Sequence, residues 1–371
     1  MSIFQNIFSM FKSSDPSVLG IDIGSSSVKV VQIKKKKGRA VLETYGELAL
    51  GPYAGVEIGR ATALPTEKIV EALLDILKES KTNTKKCGIS IPLGASLISF
   101  IKLPPTDPKD LATMIPIEAR KYIPVPISEV ALDWWVIPKE EQDFQDTPGG
   151  ENKSPDRDGV DVLVVVIHNE AIAKYQEISQ RTALEASFFE IEIFSTIRSV
   201  VDQGIQSQMI FDMGASSTKL YIIERGVLQN SHTISRGSQD ITLAISKALG
   251  ISVAEAETMK RTYGLKDPEK KELSESIALT LDFIFYEANR VLLNYQKKYN
   301  KTIGKVILTG GGVLLKGFDE LAKSSLQSEV ILGNPFGKVE TPAFLEEVLK
   351  NAGPEFAVAM GIALRKLQEI E

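Results

Sequence analysis

The chain has 371 residues, 43% of them hydrophobic and 25% charged, with a formal net charge of −5. That size and apolar content suit about two or three domains with real cores, and they exclude a disordered chain; the acidic balance offers no basic excess for nucleic acid. A single cysteine, Cys87, excludes an internal disulfide framework and a cysteine-based zinc site and fits a reducing compartment, while His168 and His232 lack the spacing of a metal site.

No apolar run reaches bilayer-spanning length and the N-terminus lacks a secretion pattern, so a cytoplasmic protein is expected. Residues 1–14, MSIFQNIFSMFKSS, place Ile3, Phe4, Ile7, Phe8 and Phe11 on one helical face. Such an amphipathic segment can dock on its own protein, on a partner or at a membrane surface.

Residues 21–29, IDIGSSSVK, then end an apolar strand in an aspartate, a glycine and three serines, and IFDMGASSTKLYII at 210–223 repeats the pattern. Asp22, Gly24, Ser26, Ser27 and Lys29 recur as Asp212, Gly214, Ser216, Ser217 and Lys219, each 190 residues on, which argues for an internal duplication. Each copy reads as strand, turn, strand, because β-branched and aromatic residues follow the turn. A strand entering a helix would instead make a P-loop, but no GK[ST] follows either glycine. Small residues at a hairpin tip let an anionic oxygen approach backbone N–H groups. This nominates Gly24, Ser25, Ser26, Ser27 and Lys29, with Gly214, Ala215, Ser216, Ser217 and Lys219, as phosphate-binding groups. Asp22 and Asp212 repel phosphate but suit a Mg²⁺ ion that keeps most of its waters. Two tips facing across a cleft would hold one nucleotide–Mg²⁺ complex.

Further on, KKKK at 34–37 is expected as a solvated hairpin turn and VLETYGELAL as a strand. TEKIVEALLDILKES follows as a helix beginning near Thr66, with Ile69, Val70, Leu73, Leu74 and Leu77 inward. Strands in CGISIPLGASLISFIKLPP complete the first part of a first lobe, 15–99. Residues 100–180 read as an inserted α/β module: a helix starting at Asp107 or Asp110, a strand at 130–137, a polar loop at 139–159 expected as a solvated hairpin insert, the strand VDVLVVVIH, and a helix from Asn169 to about Thr182. ASFFEIEIF reads as a strand within a return to the first lobe, 181–206. The second lobe, 207–371, repeats the scheme with a hairpin, the strand VLQNSHTIS and a long helix from about Leu273 to Tyr299, and its 230–300 stretch forms a subdomain. KVILTGGG supplies a third ligand-facing turn, Gly310, Gly311 and Gly312, before an amphipathic helix at 315–324, and FAVAMGIALRKLQ a small-residue helix able to pack closely on the sheet.

Two DxG hairpins, a GGG turn and a small-residue final helix resemble the actin-like ATPase superfamily. The resemblance implies an α/β fold of two RNase H-like lobes closing on ATP and Mg²⁺. AEAETMK resembles the helix of FtsA-like members that meets the nucleoside, so Glu257 and Lys260 are carried over as ribose or adenine contacts. RGSQDIT resembles the segment after the second phosphate hairpin, with Ser238 where a second glycine is usual. EARKYIPVPISEVALDW at 118–134, FEIEIFSTIRSV at 189–200 and NPF at 334–336 resemble, in that order, the type IV pilus assembly protein PilM family over essentially the whole chain. The first of these resembles its inserted SHS2 subdomain.

What the resemblance implies is a cytoplasmic ATP-binding scaffold at the inner membrane, whose cleft beside the insert accepts the N-terminal tail of PilN. Other pilus inner-membrane and motor components would be partners and nucleic acid would not; membrane association would run through partners, aided by residues 3–11. A sugar or acetate kinase of the superfamily would bring a second substrate pocket where this chain has its insert. FtsA would carry a spacer and C-terminal amphipathic helix, whereas LRKLQEIE follows the last core helix directly. Hydrolysis needs a polar residue to position water; Glu190 and Glu192 are the candidates, undecided between them, and their apolar neighbours mark at least one as structural. ATP is expected mainly to close the lobes and set partner affinity, with slow turnover at most.

Overall fold

The computed structural model describes residues 16–138, 159–202, 204, 206–267 and 270–370. The amphipathic 1–14 segment and all but the last residue of the 139–159 loop lie outside them. The chain divides into two compact units, Pro92–Lys174 and the remainder.

The larger unit holds two five-stranded sheets. The first comprises β1 (Ser17–Ile23), β2 (Ser27–Lys36), β3 (Arg39–Ala49), β4 (Lys86–Ile91) and β8 (Glu185–Ile191), in the order β3-β2-β1-β4-β8. The second comprises β9 (Ser207–Met213), β10 (Thr218–Glu224), β11 (Val227–Ile234), β12 (Ile303–Thr309) and β13 (Glu329–Leu332), in the order β11-β10-β9-β12-β13. In each, three strands form an antiparallel meander and two join in parallel through crossovers. The duplication legible in ten residues therefore extends to the topology of both halves.

The smaller unit contains β5 (Ser96–Leu103), α2 (Pro108–Ala119), β6 (Val130–Val136) and β7 (Val160–His168), with sheet order β5-β7-β6. Asp107 caps α2 by accepting from the Lys109 N–H, and Leu111, Ile115 and Ala119 pack on Ile101, Leu103, Val162, Val164 and Val166. Because β5 pairs with β7, this unit begins at Pro92 and not at residue 100.

The helices of the larger unit are α1 (Thr66–Glu79), α4 (Glu192–Val200), α5 (Ser238–Leu249), α6 (Val253–Tyr263), α7 (Lys271–Tyr299), α8 (Phe318–Ser325), α9 (Glu346–Ala352) and α10 (Ala357–Gln368); α3 (Asn169–Arg181) spans the division. A reciprocal Ser252–Glu255 capping box starts α6. Alanines and a glycine bring α10 onto β1 so closely that a Cβ on Gly20 would lie 2.0 Å from the Ala359 carbonyl oxygen.

Four sequence expectations shift. In α1, Ile76 is buried and Leu74 is exposed, because the inward stripe turns by one position. The lysine run continues β2 through Lys36, and only Lys37 and Gly38, both at positive φ, make the turn. ASFFEIEIF is strand only to Ile191; at Glu192 the chain turns into α4, whose Ile193, Ser195, Thr196 and Ser199 are buried. The helix expected at 315–324 begins at Phe318, after a 3₁₀ turn over Gly311–Leu314.

Candidate functional site

The two hairpins share one backbone geometry. In each, the glycine N–H donates to the carbonyl three residues on, Gly24 to Ser27 and Gly214 to Ser217, both at 3.0 Å. The aspartate and lysine are cross-strand partners in each: Asp22 with Lys29 and Asp212 with Lys219. The tips face one another, with Ser25 Oγ 3.3 Å from Ser216 Oγ. Behind them opens a cavity of about 370 Å³ lined by both tips, both aspartates, both lysines and Gly310–Gly312. Gly310 has φ +85°, and a Cβ there would lie 2.6 Å from Asp212 Oδ1, so only glycine lets the third turn lie against the second hairpin.

Charge is distributed unequally over this symmetric frame. Lys29 Nζ bonds Ser27 Oγ at 2.6 Å and pairs at 3.0 Å with Glu47, its neighbour across β2 and β3. Lys219 Nζ instead reaches from the second half to Glu192 of the first at 2.6 Å, with Asp212 at 3.9 Å. Asp22 accepts from Ser90 Oγ at 2.7 Å. Burial pushes the Asp22 carboxyl above its ordinary range and outweighs the lowering by Lys29. Burial likewise pushes Asp212 up to about 6, against the pull of Lys219 and with Glu192 and Asp22 adding repulsion. Two desolvated carboxylates, one from each half, fit a divalent cation held largely through water. Among the described residues no set of three acids, histidines or cysteines forms a fuller cage. A bound Mg²⁺ would supply the charge that these carboxylates and a polyphosphate both lack.

The two glutamates left undecided by sequence part company. Glu190 is buried against Arg198 (2.7 and 2.8 Å), Arg365 (2.7 Å) and Ser195 (2.5 Å), and does not line the cavity. Burial raises its carboxyl, but the two guanidiniums bring it below the usual range. Glu192 lines the cavity, at the start of α4.

Glu257 and Lys260 also line the cavity but bind each other at 2.6 Å. Glu257 further accepts from Arg261 Nε (2.6 Å) and Thr242 Oγ1 (2.7 Å), so its carboxylate arrives already oriented. Ser238 lines the wall and donates its N–H to the Gly214 carbonyl. Three charged lining residues went unseen in the sequence: Glu47, Arg261 and Glu355. Glu47 was detectable as the cross-strand partner of Lys29, and Arg261 as the i+4 neighbour of Glu257. Glu355 precedes α10 with no local signal. Burial, with a hydrogen bond to Glu47, pushes Glu355 up to about 7. His168 is exposed at the end of β7, and His232 lies 4.0 Å from Glu287.

No helix among the described residues is long and apolar enough to cross a membrane. The chain superposes on a chain of the PilM–PilN type IV pilus biogenesis complex with a TM-score of 0.77 at 24% identity, covering 94% of this chain and 98% of that one. It superposes on the ethanolamine utilization protein EutJ of Carboxydothermus hydrogenoformans at 0.54 and 14%, covering 94% and 89%. It matches MreB 5 of Spiroplasma citri, solved bound to AMPPNP, at 0.50 and 11%, covering 95% and 97%. These likenesses establish an actin-like fold. In sequence, the chain is 22% identical over 232 residues to the cell division protein FtsA of Agrobacterium fabrum, which covers 56% of this chain and 51% of that one. Against FtsA of Enterococcus hirae it is 23% identical over 350 residues, 82% and 75%. It thus spans about half the length of the first FtsA relatives it matches. The family model for type IV pilus assembly protein PilM matches residues 20–367, through both hairpins, the insert and the final helix, and the chain belongs to that family.

Proposed function

We propose that this chain is an ATP-binding scaffold of a type IV pilus assembly complex at the cytoplasmic face of the inner membrane, and that it binds the N-terminal tail of PilN. The observation that carries the nucleotide half of this reading is the meeting of two repeated hairpin tips at Ser25 and Ser216 over one cavity. In this reading, Ser25–Ser27 and Ala215–Ser217 offer backbone and hydroxyl donors to phosphate oxygens, and Asp22 and Asp212 hold a hydrated Mg²⁺. Gly310–Gly312 give a flat wall, and the Glu257–Lys260 pair meets the sugar or base. Glu192, committed to Lys219, is poorly free to activate water. ATP then acts chiefly as a ligand that holds the two halves together, with slow turnover at most.

The test is calorimetric titration of the full chain with a synthetic N-terminal peptide of PilN from the same genome, with and without Mg·ATP. Tail binding that tightens at least about fivefold with nucleotide is expected for a coupled scaffold. No peptide binding in either state would remove PilN as the partner, and equal affinity in both states would remove the coupling.

A further inference from the structure

Helix α7 carries a second apolar face that none of the described residues covers. Its inward face buries Leu273, Ile277, Leu281, Ile284, Ala288, Leu292 and Tyr295 in the core of the second half. Its outward face exposes Leu279 (74%), Phe283 (49%), Tyr286 (67%) and Leu293 (44%). These residues, with Arg290, fall at spacings of four, three, four and three, the seam of a two-helix coiled coil. Scattered exposed leucines need no explanation, but four large apolar side chains in one register along one helix do.

The charges on the same face select the occupant. In the N-terminal half of the exposed surface Glu272, Glu275 and Asp282 outnumber Lys271, which pairs with Glu275 at 3.7 Å, and the C-terminal half is basic, with Arg290, Lys297 and Lys298. A second copy laid parallel would set acid on acid and Arg290 on Arg290. Laid antiparallel about a two-fold axis near Tyr286, it sets Leu279 against Leu293, Glu275 against Lys297, and Arg290 against the Asp282 carboxylate and the Tyr286 ring. Opposed helix dipoles favour the same direction. We infer that the outward face of α7 is a self-association surface, on which two copies of this chain pair through an antiparallel, two-fold α7–α7 seam.

A seam of about four helical turns lies at the low end of specific interface sizes, so dissociation in the range of roughly 10 μM is expected. Arg290 already bonds the exposed edge of Glu287 at 2.6 Å and keeps further donors for a partner. The inference is independent of nucleotide binding, since none of these residues lines the cavity.

Sedimentation of the full chain across a concentration series tests it. The expected result is a mass rising from one chain to two. Tyr286→Lys, which sets a cation against Arg290 of the other copy, should weaken association at least about tenfold with an unchanged melting curve. Asp282→Arg and Arg290→Asp should each weaken it, and the double variant should return to within about threefold of the parent, a recovery that a merely apolar patch would not give. A mass fixed at one chain at every concentration would overturn the inference and leave the stripe to a different partner. A dimer indifferent to Tyr286→Lys, or no recovery in the double variant, would overturn the antiparallel seam.

Discussion

The first and second hairpins share strand register, turn hydrogen bond and residue types, yet their lysines do opposite work. Lys29 is held within its own half by Glu47 and Ser27, whereas Lys219 crosses to Glu192. The aspartates differ in the same direction, for Asp22 accepts from the Ser90 hydroxyl at 2.7 Å, whereas Asp212 faces the Lys219 ammonium at 3.9 Å. The repeat gives two hairpin tips of the same backbone geometry, and their lysines' partners make one a closed unit and the other a brace between the halves. What the pair teaches is that a repeated motif fixes backbone geometry, while its partners decide which copy carries the coupling.

The largest effect that would sharpen this contrast is on Lys219. Replacing it with Met leaves Glu192, Asp22 and Asp212 mutually repelling without their shared cation, and should cost about 3–5 kcal/mol of unfolding free energy in denaturant titrations. Lys29→Met should cost about 1–2 kcal/mol, because Glu47 is more exposed and retains the Arg261 charge nearby. Equal losses would erase the asymmetry. Next, Glu190→Gln should cost about 2–3 kcal/mol through loss of its two guanidinium partners while leaving Mg·ATP affinity unchanged. Glu192→Gln, which touches the cavity, should alter that affinity at a smaller stability cost.

A smaller effect concerns pH. Glu355 has its folded carboxyl raised from an ordinary 4.5 to about 7, so the folded chain holds that proton more tightly than the unfolded one. Its contribution to stability is present below about pH 4.5 and is lost as pH rises through 7. Glu355→Gln should flatten this loss, by about 2 kcal/mol between pH 5 and 8, when melting is followed across that range. Asp212, raised to about 6, has the same sign, so the residual slope in the variant should lie lower on the pH axis.

Most of the fold was legible because its signals are local: alternating strands, Asp107 as a cap, and a duplicated motif at constant offset. The tips, both aspartates and the GGG turn were legible for the same reason. Glu192 was obscured because the apolar run FFEIEIF has strand composition across a strand-to-helix junction, where packing of α4 on α10 overrides propensity. The start of the insert was misplaced because strand β5 has the composition of β4 but pairs with β7, a non-local choice. Glu355 was invisible because its role depends on meeting Glu47, more than 300 residues away in the chain.

The most direct test of the central claim is calorimetric titration of the full chain with Mg·ATP, repeated for Asp22→Ala and Asp212→Ala. One nucleotide per chain, with Mg²⁺-dependent affinity falling at least about tenfold in each variant and neither unfolded, is the predicted result. Parental affinity retained in both variants would contradict a single site closed by two hairpins.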